Sequence, residues 1–225
     1  MAVEFNDVPW TREQIWRGSI LASIAHAIMV SHFPEIANEH SWDGMNYSVQ
    51  DSAGTRGTIS FHSEYCVAAF RNENSYRMSS GEISSNVYFK GAPPQIIELA
   101  ETEALQYLLD NVNGHISPVI TTAFWGIKNQ LFACDKHDLL IENGGFILER
   151  HVMDLSDSID AWVEYYDMNE KQVTLMNSIF KRKISNPKEI IRLTDTEIDM
   201  IESENQEDLT ESKVSFEEIG VILEV

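Results

Sequence analysis

The stretch Trp42–Arg71, WDGMNYSVQDSAGTRGTISFHSEYCVAAFR, constrains the fold of this chain more than any other. Ser63-Glu64 stands between Ile59-Ser60-Phe61-His62 and Tyr65-Cys66-Val67-Ala68, which reads as two strands joined by a two-residue turn. In that register His62 faces Tyr65, Phe61 faces Cys66 and Ile59 faces Ala68. Period-two alternation then puts Ile59, Phe61, Cys66, Ala68 and Phe70 on one face, with Thr58, Ser60, His62, Tyr65 and Val67 on the other. A preceding strand carries Met45, Tyr47 and Val49. Pairing Val49 with Ile59 adds them to the apolar face and leaves Ser52–Arg56 as the loop. A slip of one residue would bury Ser48 and Gln50 instead, so burial selects this register. Cys66 then reads as a small core hydrophobe, not a nucleophile.

Around this sheet the pattern is helical. Thr11 and Gln14 form a capping box ahead of a helix over 11–32, whose apolar residues surround most of the cylinder. His26 and His32 lie six apart on it, the wrong spacing for a ligand pair, and read as satisfied or surface histidines. Val87 and Phe89 predict a fourth strand over Asn86–Lys90. Ile97, Ala100, Ala104, Leu105, Leu108 and Val112 predict a helix over 94–112. Thr121–Ile127 and Gln130–Cys134 form a second hairpin, and Phe146–Val152 reads as a strand. Helices then start at Ser156 or Asp157 and at Asn169. The fold class is α+β: an antiparallel sheet, a meander plus a second hairpin, with helices packed on one face and a C-terminal helical acidic segment. Asn186-Pro187 marks the domain boundary, giving a globular domain over 1–186 and an acidic segment over 187–225. In that segment Thr194-Asp195-Thr196-Glu197 is a capping box with Leu193 and Ile198 as a hydrophobic staple, and Phe216 to Leu223 can dock on the body or on another chain.

Charge narrows the partners. The chain holds 36 acidic and 16 basic residues, a formal net of −20. Non-specific binding to nucleic acid or to an anionic membrane needs a basic surface, so neither is expected. Residues 187–225 carry 12 acidic and 3 basic residues, so a sixth of the length holds nearly half the excess. Glu197, Asp199, Glu202, Glu204, Glu207 and Asp208 are the candidate surface for a basic partner. Lys181-Arg182-Lys183 closes a helix and complements its dipole. The apolar run Ile20–Val30 is broken by Ser23 and His26 and falls short of the roughly 20 residues of a membrane span. The start, MAVEFNDVPW, lacks the basic and apolar regions of a signal peptide. A cytoplasmic location follows, with Cys66 and Cys134 reduced.

Chemistry-bearing residues are few. Gly54 and Gly57 flank Arg56, which makes an anion-binding loop conceivable, although the P-loop ending is missing. Arg56, His62 and Tyr65 form the outer-face candidate site, and Ser60 beside them raises a dispersed hydrolase. Asp135 and His137 at a strand end are weak metal candidates; a helix-capping Asp135 is the commoner use. The sequence carries no catalytic motif and calls for no cofactor. The reading that fits best is a protein-binding module, bacterial in type, that blocks or sequesters a basic protein as immunity proteins and inhibitors do. The alternatives are an assembly subunit using its C-terminal segment and the dispersed hydrolase. Oligomeric state is left open.

Overall fold

The computed structural model describes residues 5–80, 84–203 and 207–224. In chain order, β1 (Asn6–Thr11) leads into α1 (Arg12–Met29), followed by β2 (His40–Asp43), β3 (Asn46–Gln50), β4 (Thr55–Phe61) and β5 (Tyr65–Asn72). Next come α2 (Pro94–Thr102), β6 (Leu109–Val112), β7 (His115–Pro118), β8 (Thr122–Ile127), β9 (Gln130–Ala133) and α3 (His137–Glu142). The remainder holds α4 (Leu155–Tyr166), α5 (Glu170–Ser185), β10 (Ile191–Arg192), α6 (Asp195–Asp199), α7 (Leu209–Glu218) and β11 (Val221–Ile222). Among the described residues seven strands form one antiparallel sheet in the order β1-β9-β8-β5-β4-β3-β2, and the class is α+β.

The chain divides into two compact units. One comprises residues up to Ile15 together with Met45–Glu149; the other comprises Trp16–Gly44 and the residues from Arg150 onward. These divisions fall elsewhere than Asn186-Pro187, because a unit is closed by burial and not by a turn in the chain. Residues beyond 187 supply Ile191, Leu193, Ile201, Leu209, Phe216, Val221 and Leu223 to the core of the second unit. Each such buried side chain contributes about 1.5–3 kcal/mol relative to exposure. The segment that an assembly role would send to a neighbour is therefore committed within its own unit.

The first unit is built on the central hairpin. Phe61 pairs with Cys66, Ser60 with Val67 and Ile59 with Ala68, the register expected from the alternation. Tyr47, not Val49, lies opposite Ile59, and Val49 faces Gly57. The shift is two residues, so Tyr47 and Val49 keep the face while the loop moves to Asp51–Gly54. Gly57 is needed there, since a Cβ would lie 2.3 Å from the Phe70 ring. Val67, Ala69, Ala123 and Trp125 meet α2 and the 3-10 turn Ala104–Leu108 in one core. Residues of both faces of the hairpin are buried: Ile59 and Ser60 are each 0% exposed.

Three segments take other forms than their apolar spacing predicts. The helix over 94–112 stops at Thr102, tightens into Ala104–Leu108 and becomes a hairpin, β6 with β7. Asn113 and Gly114 have φ of 54° and 88°, the turn that such a dipeptide favours, and it outweighs helical spacing. Asn86–Lys90 is not a strand: Ser85–Val87 is a single 3-10 turn, with Tyr88 and Phe89 buried beyond it. Phe146–Val152 falls largely in the 3-10 helix Gly145–His151.

In the second unit two of the expected caps form, while α4 starts at Leu155 with Asp154, not Ser156 or Asp157, at its cap position. Asn169 and Gln172 make a capping box on α5, and Thr194 and Glu197 make one on α6. Gly18 allows α1 to touch backbone, since a Cβ there would sit 2.0 Å from the His151 carbonyl oxygen.

Candidate functional site

The outer-face candidates occupy ordinary structural positions. His62 and Tyr65 flank the hairpin turn, their rings stacked with centroids 5.6 Å apart. The His62 Nδ1 accepts from the Glu64 N–H at 3.3 Å, and its carbonyl accepts from Arg12 Nη2 at 2.5 Å. Ser60 is fully buried and donates to Asn46 Oδ1 at 2.6 Å, so the hydroxyl is spent within the fold. Arg56 lies within β4, between Gln50 and Arg71, and not in the loop. The N–H groups of Ala53 and Thr55 donate to Asp51 Oδ1 at 3.0 and 2.7 Å, which commits the two amides flanking Gly54 within the loop. Burial pushes the Cys66 thiol up to about 12, as befits a core residue.

Asp135 does not cap α3. Its two oxygens accept from Arg77 Nη1 at 2.7 Å and Nη2 at 2.8 Å, and Thr122 donates to it at 2.6 Å. Lys136 occupies the cap position instead, and the His137 ring stands edge-on to Trp10. Three of the roughly four acceptor positions of this carboxylate are thus taken by protein donors. Among the described residues no group of three or more His, Cys, Asp or Glu side chains is arranged to hold a metal ion. The pair was illegible in sequence because Arg77 and Asp135 are joined only through the fold.

The acidic candidates of the C-terminal segment separate into two kinds. Glu197 accepts from Arg182 at 2.6 Å and closes its capping box, and Glu202 is paired with Lys171 and accepts from Asn169. Lys171 and Asn169 hold the Glu202 carboxyl below its usual range, Lys171 the more strongly. Asp199 and Glu207 are exposed and Asp208 is half-buried, while Glu204 lies outside the described residues. Glu202 also borders a cleft of about 290 Å³ whose lining includes His32, Phe33, Tyr166, Asp167 and Gln172. His32 is satisfied there, 2.8 Å from the Ile201 carbonyl.

A stronger acidic surface lies on α4. Its inward face carries Trp162 and Tyr166, both buried, with Ile159 and Val163 packed against the same core. Its outward face carries Asp157, Asp160 and Glu164, with Asp167 at the cap, all exposed and spaced at three and four. None of these four takes part in an ion pair among the described residues. Leu155 (45% exposed) and Tyr165 (43% exposed) lie beside them. The i, i+3, i+7, i+10 spacing is present in the sequence, but the density of acidic residues over 187–225 does not reveal it.

Beneath α4 the second unit buries three histidines. His26 of α1, His40 of β2 and His151 are 1%, 5% and 2% exposed. The His40 ring lies 5.3 Å from His26, 6.0 Å from His151 and 5.4 Å from Trp162, and His151 is 5.6 Å from Trp162. Both nitrogens of His26 lack a hydrogen-bond partner among the described residues. Desolvation lowers His26 to about 4 and, helped by Arg150, His151 to about 3. His40 is also held well below its usual value, by burial first and then by its neighbours His26, His151 and Arg150. His26 is thus neither satisfied nor on the surface: helix periodicity could bury it but could not show that its neighbours would be histidines. Comparison of the chain with family models, curated proteins and solved structures finds no match to any of them.

Proposed function

We propose that this protein binds a basic protein partner through the acidic face of its second unit and so blocks or sequesters that partner. The observation that carries this reading is the outward face of α4, where Asp157, Asp160, Glu164 and Asp167 stand exposed and outside any ion pair among the described residues, next to Tyr165 and Leu155. Unpaired carboxylates on one face speed encounter with a basic surface, and a tyrosine among them supplies apolar contact area. Asp199, Glu207 and Asp208 extend the acidic character, whereas Glu197 and Glu202 serve local pairs. A net charge of −20 supports the same direction. Among the described residues no helix is long and apolar enough to cross a membrane, which fits the further proposal of a cytoplasmic location.

The test uses immobilised wild type and a D157N/D160N/E164Q variant exposed to native lysate of the source cell at low salt. The reading expects a basic protein retained by wild type, eluted as salt rises, and held at least tenfold more weakly by the variant. Equal retention by both, or recovery of the bare chain, overturns it.

A further inference from the structure

We propose that this binding face is under acid control: proton uptake by the imidazole cluster of His26, His40 and His151 unpacks α4 and dissolves the acidic surface it presents. The inference rests on the binding reading above. One helix belongs to both features. Trp162 of α4 packs inward against His40 and His151, while Asp157, Asp160 and Glu164 face outward from the same helix. Three neutral rings pack there with ring centres 5 to 6 Å apart. His26 has no partner on either nitrogen among the described residues, so a charge on it is poorly solvated, and charges on adjacent rings repel.

The nearby cation raises the cost of a further charge. Arg150 lies over Trp162 and Tyr165, with its guanidinium carbon 5.3 and 4.3 Å from the ring centres, and adds positive charge. Tyr166 stacks on Trp162 at 5.8 Å. The nearest acid in sequence, Glu39, accepts from the hydroxyls of Tyr165 and Tyr166 at 3.0 and 3.3 Å. Protons therefore enter only when the cluster opens. A histidine that binds a proton near pH 6.5 when open and near 4 when closed favours the open form by roughly 30-fold at pH 5, and each ring adds its own factor. Most Asp and Glu side chains remain ionised at that pH. Glu218 titrates on its own account, since burial raises it and it accepts from the Trp42 N–H on the strand that holds His40.

The experiment is hydrogen exchange of the free full-length protein at pH 7.5 and 5.0, corrected for intrinsic rates, in wild type, His26→Leu and Glu218→Gln. Wild type is expected to lose at least 30-fold protection over 158–166 at pH 5.0, while β5 and β8 lose less than threefold. His26→Leu should recover about one 30-fold factor, and Glu218→Gln should behave as wild type. Flat protection of α4 across the two pH values, an equal loss in His26→Leu, or a full rescue by Glu218→Gln overturns acid control. If His26→Leu fails to fold at pH 7.5, His26→Gln replaces it, and the wild-type comparison of α4 with β5 decides regardless. Because no partner is present, acid control can fail while lysate retention at pH 7.5 succeeds, and the reverse outcome removes only the partner.

Discussion

In the first unit the Arg77 guanidinium donates to both oxygens of Asp135 and to the Thr121 carbonyl, and Tyr76 and Tyr88 flank it. Asp135 keeps it firmly protonated. In the second unit the His26 ring is buried more deeply still, and among the described residues neither of its nitrogens has a hydrogen-bond partner. The first arrangement keeps charge inside by facing the guanidinium with a carboxylate and a carbonyl. The second keeps polar rings inside only while they remain neutral. A buried charge with matched partners resists change in solvent conditions, whereas a neutral titratable core is stable on one side of a pH boundary.

Breaking the matched pair should have the largest effect. Arg77→Met leaves a mostly buried carboxylate without its partner and should destabilise by about 3–5 kcal/mol in urea unfolding. Arg77→Met combined with Asp135→Leu should recover much of that loss. If the double variant is as unstable as the sum of the singles, the pair is not a coupled unit.

The second unit should instead be sensitive to acid. Unfolded histidine protonates near pH 6.5 and folded His26 near 4, so between these values the unfolded state holds more protons and stability falls as pH drops. Above pH 6.5 this contribution is level. From pH 7.5 to 4.5, His26 alone should remove about 2–3 kcal/mol, and His26→Leu should flatten the profile by that amount. Denaturant melts across the range would show it; parallel profiles would exclude it.

Gly18→Ala probes packing behind the cluster. Its Cβ would meet the His151 backbone, which cannot rotate aside as a side chain can, and a loss of about 1–3 kcal/mol is expected. The corresponding Gly57→Ala in the first unit meets the Phe70 ring and should cost about as much. Thr194→Ala, which removes a cap from α6, should cost about 1 kcal/mol, visible as a small shift of the urea midpoint.

What could be read from the sequence follows the range of the interactions involved. The Phe61–Cys66 register, the Thr11, Asn169 and Thr194 caps and the inward stripe of α4 depend on neighbours within a few residues. Local chemistry misled at 94–112 only because two local rules competed there and the Asn113-Gly114 turn prevailed. Arg77 with Asp135, and His26 with His40 and His151, join residues 58 or more positions apart or drawn from three elements. No periodicity encodes such meetings. The candidate binding face was half legible, since total acidity pointed to the second unit's acidic segment but not to α4.

The discontinuity of the second unit sets an order of assembly during synthesis. Ile20, Ile24 and Ile28 of α1 share a core with Phe216, Val221 and Leu223, about 190 residues later in translation. At roughly 5–20 residues per second, α1 waits about 10–40 s for its last core neighbours. Throughout that interval its apolar surface must be shielded by something other than its native core. Expression yield should therefore respond to chaperone supply more sharply than the equilibrium stability of the finished protein would suggest.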